Sequence, residues 1–164
     1  MTSSSRSAER DRAFTEFARA RMPELYRRAS LLCGDRHRAE DLVQETLAKV
    51  YVKWGRRIDN PAAYAHTALV RTFLNQRRRR SSQEVPYADL PDTPVVDGTA
   101  ASDLQLSLTE VLDGLSPMDR AVLVLRFKED LGVDEVGRLL GLSPSAVKNR
   151  TMRALARARE RTLQ

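Results

Sequence analysis

Three groups of side chains in this sequence could do chemistry. Arg77-Arg78-Arg79-Arg80 sets four cations side by side, soon after Tyr64, His66, Phe73 and Asn75. Cations hold phosphates, and aromatic rings and amides meet exposed bases, so this group fits nucleic acid. A solvated helix end is the plainer alternative, but one or two arginines would satisfy its dipole. The second group, Lys148, Asn149, Arg150, Arg153, Arg157 and Arg159, lies near the end of the chain. Lys and Arg can donate to guanine, and Asn can pair with adenine. The third group is Asp41, Gln44 and Glu45. Taken alone, these three read as the solvated face of a helix.

Enzyme chemistry finds little material here. His37 and His66 are the only histidines, and Cys33 is the only cysteine. No Cys/His cluster, Gly-rich phosphate loop or nucleophile elbow accompanies them. A single cysteine rules out an internal disulfide. Set among Ala29, Leu31 and Leu32, it reads as buried filler. No metal or cofactor is expected.

The elements that must position these groups are helices. Aromatics are scarce, charged residues make up 30% of the chain, and there are no long β-branched runs. Phe14, Phe17, Ala18, Leu25, Ala29 and Leu32 recur at helical spacing. Pro23 interrupts them, which predicts two short helices or one kinked helix. Gly34 can close that segment and Asp35 can cap the next. Ala39, Leu42, Val43, Thr46, Leu47, Val50, Tyr51 and Trp54 then form a wide apolar stripe. Asn60-Pro61 opens a helix that runs into the arginines.

Toward the C-terminus, Leu104, Leu108, Val111, Leu112 and Leu115 mark an amphipathic helix. Ser116-Pro117 starts a helix carrying Val122, Leu125 and Phe127. Gly132, a weak cap, starts another with Val136, Leu139 and Leu140, and Gly141 can stop it. Ser143-Pro144 starts the last helix, with Val147 and Leu155 inward. Two short helices joined by a tight turn, the second basic at its start, predict a helix-turn-helix that reads the major groove.

Charge divides the chain in three. Residues 1–82 hold 18 basic and 9 acidic residues, residues 83–115 hold 7 acidic and no basic ones, and residues 116–164 hold 10 basic and 6 acidic. The acidic middle contains Pro86, Pro91, Pro94 and Gly98 and reads as a linker. The overall charge of +6 favours polyanion partners. No apolar run suits a membrane span or a signal peptide, so a cytoplasmic protein is expected. The polar start, residues 1–11, is expected to be disordered.

Two stretches together resemble a known family. AEDLVQETLAKVYVKW (Ala39–Trp54) and LSPMDRAVLVLRFKEDLGVDEVGRLLGLSPSAVKNRTMRALARAR (Leu115–Arg159) are similar to the two domains of extracytoplasmic-function sigma factors of bacterial RNA polymerase. The opening FTEFARARMPELYRRASLLCGDRHRAEDLVQETL resembles an actinobacterial, SigE-like subgroup. The resemblance implies an all-α chain of two small helical domains. These would be a sigma region 2 bundle over 12–82 and a region 4 helix-turn-helix over 104–164, joined by a flexible acidic linker over 83–103.

It also implies roles. Asp41, Gln44 and Glu45 would bind polymerase. Tyr64, His66, Arg71, Asn75, Arg77 and Arg78 would read the minus-ten element, although many family members carry Asn where this chain has Arg71. Ser145, Lys148, Asn149, Met152 and Arg153 would read the minus-thirty-five element. Gly137 stands where Ala is frequent, which by helix propensity costs about 1 kcal/mol. The implied partners are the polymerase core (β′ coiled coil and β flap), promoter DNA and an anti-sigma factor, with no membrane. The rival readings are a ligand-sensing helix-turn-helix repressor or activator, and an RNA-binding or protein-binding helical adaptor.

Overall fold

A computed structural model describes residues 2–56, 58–82 and 110–163. The linker over 83–103, with Leu104 and Leu108, lies outside the described residues. Helices carry the fold, and no strand occurs among the described residues.

Helix α1 spans Ser3–Cys33, α2 spans Arg36–Lys53 and α3 spans Pro61–Ser82. Pro23 sits inside α1 without ending it. Packing on both sides of the proline holds the helix together. Before it, Phe14 and Phe17 pack their rings against Trp54, and after it Leu25 and Ala29 are fully buried. Residues 3–11 of the polar start, expected to be disordered, are instead the first turns of α1. Those turns are exposed, but Arg10 anchors the helix further along. Its guanidinium donates to the Tyr51 carbonyl at 3.0 Å, and the Tyr51 hydroxyl donates to Asp11 Oδ1 at 2.7 Å.

Between α1 and α2, Gly34 adopts φ +68° and closes α1 with its N–H on the Ser30 carbonyl at 2.8 Å. A side chain at Gly34 would also meet the Arg120 guanidinium. Asp35 Oδ1 then accepts from the His37 and Arg38 amides and starts α2. Helix α2 lies between α1 and α3.

In the second half, α4 spans Pro117–Leu123 and runs into a π-helical turn, Val124–Lys128. Helix α5 spans Val133–Leu140 and α6 spans Pro144–Thr162. The wider turn rotates Phe127 outward, so this expected core residue is 59% exposed. Ser116, Gly132, Gly141 and Ser143 bound their helices as the sequence predicts.

The halves meet where α1 packs on α4 and α3 on α5. At this seam Arg28 donates through Nε and Nη2 to both carboxylate oxygens of Glu129. Both side chains are largely buried, at 11% and 19% exposed. Beside them lies a cavity of about 390 Å³ lined by His66, Val70, Leu125 and Leu139. The seam is therefore less tightly packed than a domain interior.

Two predictions follow from this packing. A methyl group on Gly137 would lie 2.6 Å from the backbone oxygen of Leu142. Gly137→Ala should therefore lower stability by about 1–3 kcal/mol, whereas helix propensity alone predicts a gain. A fall in melting temperature on thermal unfolding checks the sign. At the seam, Glu129→Ala leaves the Arg28 charge unpaired, which costs the closed arrangement on the order of 3 kcal/mol. The radius of gyration from X-ray scattering should rise in that variant. It should return in the double charge swap of Arg28→Glu with Glu129→Arg.

Candidate functional site

Helical periodicity decides what α2 can present. Ala39, Leu42, Val43, Thr46, Leu47 and Val50 all turn inward. Asp41 and Gln44 are then forced outward and are exposed. Neither makes a hydrogen bond or ion pair with another of the described residues. Glu45, on the same side, behaves differently. Its Oε2 accepts from Gln76 Nε2 at 2.6 Å and its Oε1 from Arg79 Nη2 at 2.7 Å. Lys49 Nζ stands 3.7 Å from Oε1. Burial alone would raise the Glu45 carboxyl. The hydrogen bonds from Gln76 and Arg79 and the charges of Arg79 and Lys49 outweigh it and hold the group below the ordinary carboxylate range.

Asn60 Oδ1 accepts from the Ala63 amide at 3.1 Å and sets the start of α3. At 100° per residue, Tyr64, Arg71, Asn75 and Arg78 fall within roughly 60° of arc. Arg71, Asn75 and Arg78 are exposed and Tyr64 is half-buried, with Lys53 Nζ 5.5 Å from the centre of its ring. The fold thus gathers four of the six residues expected to read the minus-ten element.

His66 and Arg77 fall on the opposite side of α3. His66 faces the seam, with Nε2 3.4 Å from Glu24 Oε1. Its Nδ1 is buried and has no hydrogen-bond partner among the described residues. Arg77 lines a small hollow with Cys33, Phe73 and Arg120. Burial pushes the Cys33 thiol up to about 12, against the pull of Arg80, Arg120 and Arg38, while Asp35 adds to the rise.

In α6, Ser143 Oγ accepts from the Ala146 amide at 3.1 Å. Val147, Ala154 and Ala158 are the buried positions. Ser145, Lys148, Asn149, Met152 and Arg153 are all exposed, and they share about 140° of arc. Met152 is 71% exposed, unusual for a large apolar side chain. Arg150, one of the basic residues noted in the sequence, turns away from this face. Its Nη1 donates to the buried Asp119 Oδ1 at 2.9 Å and ties α6 to α4.

The sequence reading missed Gln76, Arg28 and Glu129, which the structure makes prominent, and saw Arg79 only as a member of the arginine run. Gln76 and Arg79 were legible in part, since they fall on the same ridge of α3 as the buried Thr72. The Arg28–Glu129 pair spans 101 residues and leaves no local signal.

Comparison with known proteins finds matches to both halves of the chain. A Sigma-70 region 2 model covers residues 17–83, and a Sigma-70 region 4 model covers residues 105–157. The RNA polymerase sigma-E factor of Streptomyces coelicolor is 38% identical over 90% of this chain and 84% of its own. That of Streptomyces avermitilis is 38% identical over 90% and 83%. Among solved structures, the sigma factor RpoE of Bartonella quintana, crystallised with the anti-sigma factor NepR, superimposes with a TM-score of 0.70. It is 24% identical and covers 92% of this chain and 96% of its own, a likeness of fold. The extracytoplasmic function sigma factor SigJ of Mycobacterium tuberculosis gives 0.64 at 29% identity, covering 88% of this chain and 52% of its own.

The raised thiol predicts that Cys33 stays protonated and inert. Native protein at pH 8 should react with iodoacetamide at a small fraction of the rate of the unfolded chain. Comparable rates, followed by mass spectrometry, would contradict the assignment.

Proposed function

Because the chain belongs to the extracytoplasmic-function family of RNA polymerase sigma factors, we propose how its surfaces divide the work of promoter-specific initiation. Asp41, Gln44 and Glu45 form the edge of α2 that docks on the β′ coiled coil of the polymerase core. A carboxylate and amide face of this kind suits the basic and polar side chains of a partner helix pair. The β flap is the second contact on the core.

The α3 face of Tyr64, Arg71, Asn75 and Arg78 takes the opened minus-ten strand. Cations there track the backbone, and the tyrosine and amide meet unstacked bases. His66 and Arg77 would join only if α3 were uncovered at the seam. The start of α6 enters the major groove of the minus-thirty-five element, with Lys148, Asn149 and Arg153 at base edges or phosphates and Ser145 and Met152 beside them. The first domain spans 12–82, the linker 83–103 and the second domain 104–164. The protein acts in the cytoplasm, contributes no catalytic group of its own, and takes an anti-sigma factor as a further partner.

The observation that carries this reading is the exposed Asp41–Gln44 edge, presented in the same chain as a helix whose Ser145, Lys148, Asn149, Met152 and Arg153 are all exposed. Run-off transcription with purified core polymerase, on a pool of templates with randomised upstream sequence, tests it. Specific start sites should appear only when this protein is added. Asp41→Arg should reduce core binding at least tenfold and abolish those transcripts, while α6 retains its affinity for a duplex recovered from the pool. Transcription that never depends on the protein would refute the proposal.

A further inference from the structure

Glu45 stands apart from the two residues it is grouped with. Asp41 and Gln44 are exposed and make no hydrogen bond with another described residue, whereas both carboxylate oxygens of Glu45 are held by α3. Lys49, one turn on, links the same two helices again. Its Nζ donates to Thr72 Oγ1 at 3.2 Å and stands 3.7 Å from Glu45. Thr72 is fully buried. On α3, then, Thr72, Gln76 and Arg79 form one ridge, and Lys49 and Glu45 of α2 hold it from end to end.

This ridge fixes a rotation. Thr72, Gln76 and Arg79 lie roughly a quarter of the circumference round α3 from the face of Tyr64, Arg71, Asn75 and Arg78. Whatever holds the ridge on α2 sets the direction in which that face points. Apolar packing by Leu69, Val70 and Phe73 keeps α3 on the bundle, but dispersion is not directional. A carboxylate that accepts one bond from Gln76 and another from Arg79 is directional.

We propose that Glu45 is a positioning residue. It couples the orientation of α2, once docked on polymerase, to the orientation of the strand-reading face of α3. Docking then rests on Asp41 and Gln44, and Glu45 transmits their placement to the reader. The inference rests on the docking and strand-reading roles proposed above and reassigns one residue within them.

The test exchanges the two partners. Glu45→Gln with Gln76→Glu keeps a carboxylate–amide pair across the same gap but moves the charge from α2 to α3, where Arg79 and Lys49 still face it. Each variant is reconstituted with core polymerase on a template recovered from the randomised pool. Core affinity and open-complex lifetime are then measured separately, with circular dichroism melting as a check on folding. Gln76→Ala should shorten the open-complex lifetime roughly ten- to a hundredfold, the equivalent of one charge-assisted hydrogen bond, with core affinity unchanged. Glu45→Gln should shorten the lifetime likewise, and the exchanged double variant should recover most of it.

Two outcomes overturn the proposal. One is a Glu45→Gln variant that loses core affinity as Asp41→Asn does and is not rescued by Gln76→Glu, which makes Glu45 a docking contact only. The other is a Gln76→Ala variant with wild-type lifetime. If the docking reading itself fails, Asp41→Asn binds core normally, a result separate from both.

Discussion

The constraint on which the first half depends is that one helix, α2, must serve two environments. Its period of 3.6 residues sends Leu42, Val43, Thr46, Leu47 and Val50 into the bundle. The same period leaves Asp41 and Gln44 no choice but to face out. Helices α1 and α3 are organised by the buried stripe, and their own functional residues are placed by how they lie on it. The docking edge proposed here lies on the most heavily packed helix of its half and is rigid, so little ordering entropy would remain to be lost on binding. Burial and recognition here are two consequences of one periodicity.

The second constraint is the seam. The Arg28–Glu129 pair and the apolar side chains around it bring the halves together, while the recognition face of α6 stays open. Promoter elements centred about ten and thirty-five base pairs upstream are separated by about 25 base pairs, or roughly 85 Å of duplex at about 3.4 Å each. A compact chain of this length has a radius of gyration of only about 15 Å. Reading both elements therefore requires the halves to part. The acidic stretch 83–103 can span on the order of 70 Å when extended, which with the width of the domains is enough. A partly buried ion pair beside an open cleft suits such a joint. It is specific enough to close in one way, yet adds little net stability, because desolvation offsets most of the charge attraction.

What the sequence made legible, and what it hid, follows from the range of the forces involved. The caps at Asp35, Asn60, Ser116 and Ser143 and the stops at Gly34 and Gly141 act within a few residues, and each lies where its side chain or backbone freedom predicts. The stripe on α2 was equally clear, apart from Tyr51, which lies at its edge and is 39% exposed. The disagreements arise where tertiary packing overrides a local rule. Pro23 is tolerated because α1 is held on both sides of it. Phe127 is turned out by a π turn that no spacing announces. Gly137, which looks like a weak point in a helix, makes room for the returning chain at Leu142. His66 was grouped with Tyr64 because they are neighbours in sequence, but a separation of two residues places them on opposite sides of a helix.

The arginine run shows this most sharply. Read along the chain, Arg77 to Arg80 is one dense cationic patch. Wound at 100° per residue, its members point in three directions. Arg77 goes to the hollow beside Cys33, Arg78 faces out with Arg71 and Asn75, and Arg79 reaches back to Glu45. Arg80 joins Arg77 on the side of Arg120. The dispersal relieves repulsion that four adjacent guanidinium groups would otherwise impose on one face. It also removes charge from the outward face, so the strand binding proposed for that face cannot rest on bulk positive potential from the whole run. The outward face keeps two arginines, one asparagine and one tyrosine. On the proposed reading, a face so sparsely charged would hold a strand well only when its direction is right, which gives the polar ridge joining α3 to α2 more weight than its few hydrogen bonds suggest.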